Sequence, residues 1–242
     1  MQLAEPPQSR FDVHFSVGKI PVRVHPMFWI VGLILGFVGS RDPIAASLWM
    51  VAMLASILVH ELGHALAAKA YGWPPRITLY GMGGLAHYTP TNRKRGPRAL
   101  ISFAGPGAGF LKGGIILGII LALGHGVTIP GIGFRIGGPT DIAGGRLGLF
   151  IHYMLFMDIF WGLLNLAPIQ PLDGGHIAGT VIEKYRPRQA VALTLQLSMV
   201  AAGALALLGM VVWKSLFIAV MFGMLGFESW QLLQQAKQHG LA

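Results

Sequence analysis

Long apolar runs with few charges make up most of this chain, and short polar stretches separate them. Runs at 26–40, 44–71, 99–124, 147–167, 189–212 and 215–233 read as six membrane-crossing helices. About 20 residues are needed to cross the hydrocarbon core, so the first run either borrows residues upstream or sits where the bilayer thins. Before it the period changes. Phe11, Val13, Phe15 and Val17 alternate with Asp12, His14 and Ser16, and Ile20, Val22 and Val24 resume after Gly18-Lys19. That alternation around a turn predicts a short hairpin at the membrane surface. Residues 76–88 carry β-branched and aromatic side chains with Gly81, Gly83 and Gly84, which reads either as strands or as a structural turn.

The predicted fold is an all-α polytopic membrane protein of about six transmembrane helices with short interfacial strands. Residues 1–25 form its interfacial segment and 26–242 a single membrane domain. Composition agrees: 54% of the 242 residues are hydrophobic and 11% charged, against about 25% charged in ordinary soluble domains. With no cysteine, disulfides, thiolate metal sites and a cysteine nucleophile are excluded. The formal charge of +9 falls mostly in connections between apolar runs, such as Arg93, Lys94, Arg95 and Arg98, read as a basic loop. This pattern fits orientation signals and anionic lipid, not nucleic acid. No cleavable signal peptide is recognised at the start. No internal repeat is present either, which argues against a transporter.

The chemistry concentrates in the second run, at His60-Glu61-Leu62-Gly63-His64. On a helix, His60 and His64 share a face one turn apart and can grip one metal ion. His-Glu-x-x-His is the zinc-metalloprotease pattern, with Glu61 as general base for a water molecule. A carboxylate near the bilayer centre costs about 2.5–3.5 kcal/mol to insert, which weighs against an accident. The third ligand must be His or carboxylate. Asp173 lies where Pro168 and Pro171 break the helix after the fourth run, free to turn inward. His and carboxylate ligands also suit other divalent ions.

Six crossings put both termini on one side. Most Lys and Arg residues lie there, which places the termini, the basic loop and the Asp173 segment in the cytoplasm.

On His60-Glu61-Leu62-Gly63-His64, Ala104-Gly105-Pro106, Asn165-Leu166-Ala167-Pro168 and Leu172-Asp173-Gly174-Gly175, the chain resembles the site-2 protease family of intramembrane metalloproteases. The likeness covers residues from about 26 to about 185. It implies a zinc enzyme that cuts membrane-spanning protein substrates, with His60, His64 and Asp173 as ligands, Glu61 as catalytic acid/base and Asn165 contacting substrate or transition state. The family often has Asn three residues after the Gly-Pro pair, where this chain has Gly109. Without the accessory domains of many members, the chain resembles a minimal form.

Two other functional readings are a catalytically silent scaffold of the same fold and a membrane-embedded zinc protease trimming non-transmembrane peptides. His87 and His176 are weaker ligand candidates, and His14 and His25 read as interfacial side chains. Asp158 and His152 are ionisable groups inside the fourth run, and Asp158, seven residues before Asn165, reads as lying on the same face.

Overall fold

The structure, a computed structural model, describes residues 5–81, 83–89, 95–129, 131–133, 135–138 and 145–239. Their contacts group into two compact units, one built from 5–89 and 104–163, the other from 95–103 and 164–239.

In the first unit, β1 (Val13–Val17) and β2 (Ile20–Val24) form the predicted hairpin, with Val17 opposite Ile20. The turn needs Gly18, whose φ of 59° is left-handed. β2 then pairs in parallel with β3 (Arg76–Tyr80), which pairs antiparallel with β4 (Gly83–His87). Strand order is β1-β2-β3-β4, so β4 is an edge. The alternation read from the sequence buries Ile20, Val22, Val24, Ile77 and Leu79 against Phe28, Met50, Met53 and Ala65.

Those last residues come from two helices, α1 (Pro26–Ser40) and α2 (Pro43–Ala70). His25 caps α1 by accepting from Met27 N–H at 3.2 Å, and Asp42 caps α2 by accepting from Ile44 N–H at 2.9 Å. Where they cross, a Cβ on Gly36 would lie 3.0 Å from the Ala46 backbone. α3 (Arg95–Ala122) follows, and α4 (Arg146–Leu155) runs through a π-helical turn at Phe156–Trp161 into α5 (Gly162–Asn165). Within the Gly-rich connection, β5 (Gly126–Thr128) and β6 (Arg135–Gly137) make a small sheet. Ile120, Val127, Ile129 and Leu155 form a core cluster beside it.

The second unit holds α6 (Asp173–Tyr185), a 3-10 turn at Pro187–Gln189, α7 (Ala190–Val211) and α8 (Leu216–Gln238). α7 packs on α8 through small residues: a Cβ on Gly226 would meet Ala202, and one on Gly209 would crowd Ala219.

Among the described residues, five helical stretches are long and apolar enough to cross a membrane: Pro43–Ala70, Pro97–Ala122, Arg146–Asn165, Pro187–Val211 and Leu216–Gln238. Pro26–Ser40 is apolar but shorter, as its sequence indicates. Leu111, Val200 and Met224 stay exposed on these helices, as lipid-facing side chains do.

Two expectations change. The third helix begins at Arg95, so Arg95 and Arg98 belong to it and not to a loop. Pro97 suits a first helical turn, where a missing N–H costs nothing. Arg93 and Lys94 lie outside the described residues. After the proline break the chain forms α6, which the apolar pattern did not reveal because its 13 residues are not a membrane-length run.

Candidate metal centre

α2 carries His60, Glu61 and His64 in its later half. One turn of helix brings the two Nε2 atoms to 3.1 Å, with the rings at 79° to each other. Two nitrogens in a tetrahedral zinc shell, each about 2.0–2.1 Å from the metal, stand about 3.3 Å apart, so the pair fits such an ion. The space before them is kept by a glycine. A Cβ on Gly105 of α3 would collide with the His64 ring and lie 2.8 Å from His60 Nε2. One residue earlier on each helix, Gly63 has the Ala104 carbonyl where a side chain would stand. These two glycines let α2 and α3 approach closely enough to shelter the imidazoles. His64 is buried and His60 half-buried.

Glu61 is also buried, 5% exposed, and β4 covers it. A Cβ on Gly84 would lie 2.5 Å from Glu61 Oε1 and 2.7 Å from its Cδ. Only a residue without a side chain leaves the carboxylate its place there. Burial, and then the negative charge of Glu61, push the Tyr80 phenol at the end of β3 above its ordinary range. Among the described residues, then, the edge strand and the Glu61 carboxylate are immediate neighbours.

In the second unit, Asp173 is the first residue of α6, and Asn165 Nδ2 donates to its Oδ2 at 2.7 Å. The break between them is held by its own backbone. Gly174 and Gly175 sit against the carbonyls of Leu166, Ala167 and Ile169, with no room for a Cβ. Gln170 N–H donates to Ser198 Oγ at 3.0 Å, and Ser198 donates to the Thr194 carbonyl at 2.8 Å. Freed backbone groups at a helix break are thus partly satisfied by α7.

Asp158 lies on the π-helical turn, 2% exposed, and pairs with Lys112 Nζ at 3.1 Å. The same Nζ donates to Ser56 Oγ on α2 at 2.9 Å. Because a π-helical turn lies between Asp158 and Asn165, a seven-residue spacing no longer puts them on one face. Lys112 is the residue that sequence reasoning left without a role. The signal was a lone ammonium in an apolar run, which demands a partner, but its partner lies on another helix.

Of the other histidines weighed from the sequence, His87 on β4 lies 3.5 Å from Glu5. His152 and His176 are exposed, His14 is exposed, and His25 serves as a helix cap.

Comparison with known proteins agrees with this layout. The profile of peptidase family M50 matches residues 48–210, which include both motifs. A zinc metalloprotease of Methanocaldococcus jannaschii is 26% identical over 172 residues, 70% of this chain and 45% of that protein. Stage IV sporulation protein FB of Bacillus subtilis is 27% identical over 175 residues, 70% of this chain and 50% of that protein. The chain spans no more than about half the length of these curated relatives. Among solved structures, the site-2 protease from Methanocaldococcus jannaschii has a similar fold, with a TM-score of 0.58 at 21% identity over 92% of this chain and 95% of that one. The chain is a polytopic membrane protein and belongs to peptidase family M50.

Proposed function

We propose that this protein is an intramembrane zinc metalloprotease that hydrolyses peptide bonds within or near the transmembrane segments of membrane-protein substrates. The observation that carries the reading is the buried turn of α2, where two imidazole nitrogens converge at 3.1 Å beside a sheltered carboxylate. Relatives named as zinc metalloproteases support the choice of metal.

In this reading His60, His64 and Asp173 hold a zinc ion, and Asn165 holds Asp173 by the side-chain hydrogen bond described above. When bound, zinc lowers the pKa of water to about 7 and polarises a carbonyl. Glu61 takes the proton of the attacking water and returns it to the leaving amine. Its burial beside β4 keeps bulk water from competing for that proton.

A substrate helix shields its amides in internal hydrogen bonds, so it must unwind locally before attack. Edge strand β4 offers backbone groups to an extended segment and so offsets part of that cost. The strand adjoins Glu61 through Gly84, which brings a segment paired there close to the base. Asn165 contributes to substrate or transition-state binding in the same reading. The distribution of Lys and Arg supports both termini facing the cytoplasm.

The test is cleavage of a model single-pass substrate, and of a soluble peptide, by purified protein. Glu61→Gln should retain bound zinc and lose cleavage. Continued proteolysis by that variant would overturn the base assignment, and cutting of the soluble peptide alone would overturn the substrate class.

A further inference from the structure

The four-stranded sheet has two faces of different chemistry. One carries Ile20, Val22, Ile77 and Leu79 against the helices, and Gly84, directly opposite Leu79, lies over Glu61 on that side. The other is polar. Residues directly opposite one another share a face, and there Arg23 stands opposite Thr78 and Arg76 opposite His87. These side chains gather around one carboxylate, that of Glu5. Its Oε1 accepts from Thr78 Oγ1 at 2.8 Å and from Arg23 Nη2 at 2.9 Å. Its Oε2 accepts from Arg76 Nη2 at 3.0 Å, with His87 Nε2 3.5 Å away.

That carboxylate leaves capacity unused at the β4 side. Arg76 keeps 61% of its side chain exposed, and His87 Nε2 is buried with no hydrogen-bond partner among the described residues. A buried ring nitrogen without a partner is uncommon, and the Nε2 tautomer has an N–H to donate even when the ring is neutral. β4 is also the edge of the sheet. A segment paired along it puts one residue directly opposite His87, on the same face, with Cβ atoms about 5 Å apart. The row across three strands then reads Arg76, His87 and the incoming residue. Arg76 stands two strand spacings from that residue, about 10 Å, which a guanidinium and a carboxylate side chain span together. Two nitrogen donors in a row favour an acceptor as the third member.

We propose that His87 and Arg76 form a specificity subsite for an acidic side chain of the substrate, three residues from the position that passes Gly84. Glu5 already displays the chemistry, since a carboxylate is what this face of the sheet holds. The preference belongs to one position. Two residues along β4 on the same face stands Leu85, opposite Thr78, which offers an acid no charge, and the residues between face the helices. This inference rests on the protease reading given above and on substrate pairing at β4.

Its test is cleavage, by the purified full chain, of model single-pass substrates in which one Glu is moved residue by residue along the segment flanking the cleavage site. Each is compared with its Gln and Lys counterparts. At one position Glu should raise kcat/KM about 5-fold over Gln, and Lys should lower it. Adjacent positions should show no such preference. His87→Gln and Arg76→Gln should each bring the Glu-to-Gln ratio close to one. A ratio taken within one protein does not depend on how much of it folds. Equal cleavage of all the substrates, a preference for Lys, or a Glu preference that persists in both variants would overturn the subsite and leave the protease reading standing. Failure to cleave any of them would instead overturn that reading, and this inference with it.

Discussion

Gly84 of β4 lies against the Glu61 side chain so closely that even a methyl group there would displace the carboxylate. The edge of the sheet and the base of the proposed reaction therefore share one boundary. Gly84→Ala should leave the fold and bound metal intact and reduce turnover about 100-fold, the scale associated with misplacing a reacting group by about 1 Å. Cleavage rate measured beside zinc content checks this, and an unchanged rate would show that Glu61 has room to spare.

Gly105 protects a different atom pair. Its substitution by Ala would push a Cβ into the space that His60 Nε2 and His64 share. We expect Gly105→Ala to lose metal affinity by at least 10-fold, because ligand geometry must hold to within a few tenths of an ångström. Titration with a zinc chelator measures it. Gly109→Ala is the control, since a Cβ there would meet backbone at an ordinary 3.5 Å.

Acid should loosen the four-stranded sheet through Glu5 and His87. Burial raises the Glu5 carboxyl, but hydrogen bonds from Thr78 and Arg76 and the charges of His87 and Arg76 outweigh it, leaving the pKa at about 2 against an ordinary 4.5. Its stabilising contribution is full above about 4.5 and lost as pH falls toward 2. Burial holds His87 below its ordinary 6.5, against the pull of Glu5. The folded state therefore resists protonating His87, and acidification below about 6.5 also costs stability. Thermal unfolding should shift down by a few degrees between pH 7 and 3, through His87 in the upper part and Glu5 below about 4.5. Glu5→Gln should remove much of the lower part of that slope, and a flat profile in the wild type would contradict the assignment.

Gly174 and Gly118 should respond to alanine with opposite signs. A Cβ at Gly174 would run into the Leu166 and Ala167 carbonyls, which are backbone and cannot yield. Gly174→Ala should destabilise by about 1–3 kcal/mol. Gly118 in α3 meets nothing within 4 Å. Gly118→Ala should stabilise by about 0.5–1 kcal/mol. Comparing denaturant midpoints of the two variants tests whether the start of α6 is seated on the break before it.

The sequence by itself determined the helices, the hairpin and the histidine pair, because each is written in a period of a few residues. Apolar runs become spanning helices since a bilayer leaves the backbone no other partners. Pro26–Ser40 and Pro43–Ala70 follow the apolar pattern almost residue for residue. His60 and His64 share a face for the same local reason. Tertiary packing alone decided that β2 would pair with β3, that Gly84 would cover Glu61 and that Lys112 would find Asp158. Those pairings join residues far apart in the chain. The helix Asp173–Tyr185 starts where its glycines fit against the carbonyls of the proline break just before it. Which partner a buried charge or a bare strand edge meets is set by how the helices pack, and no local periodicity carries that information.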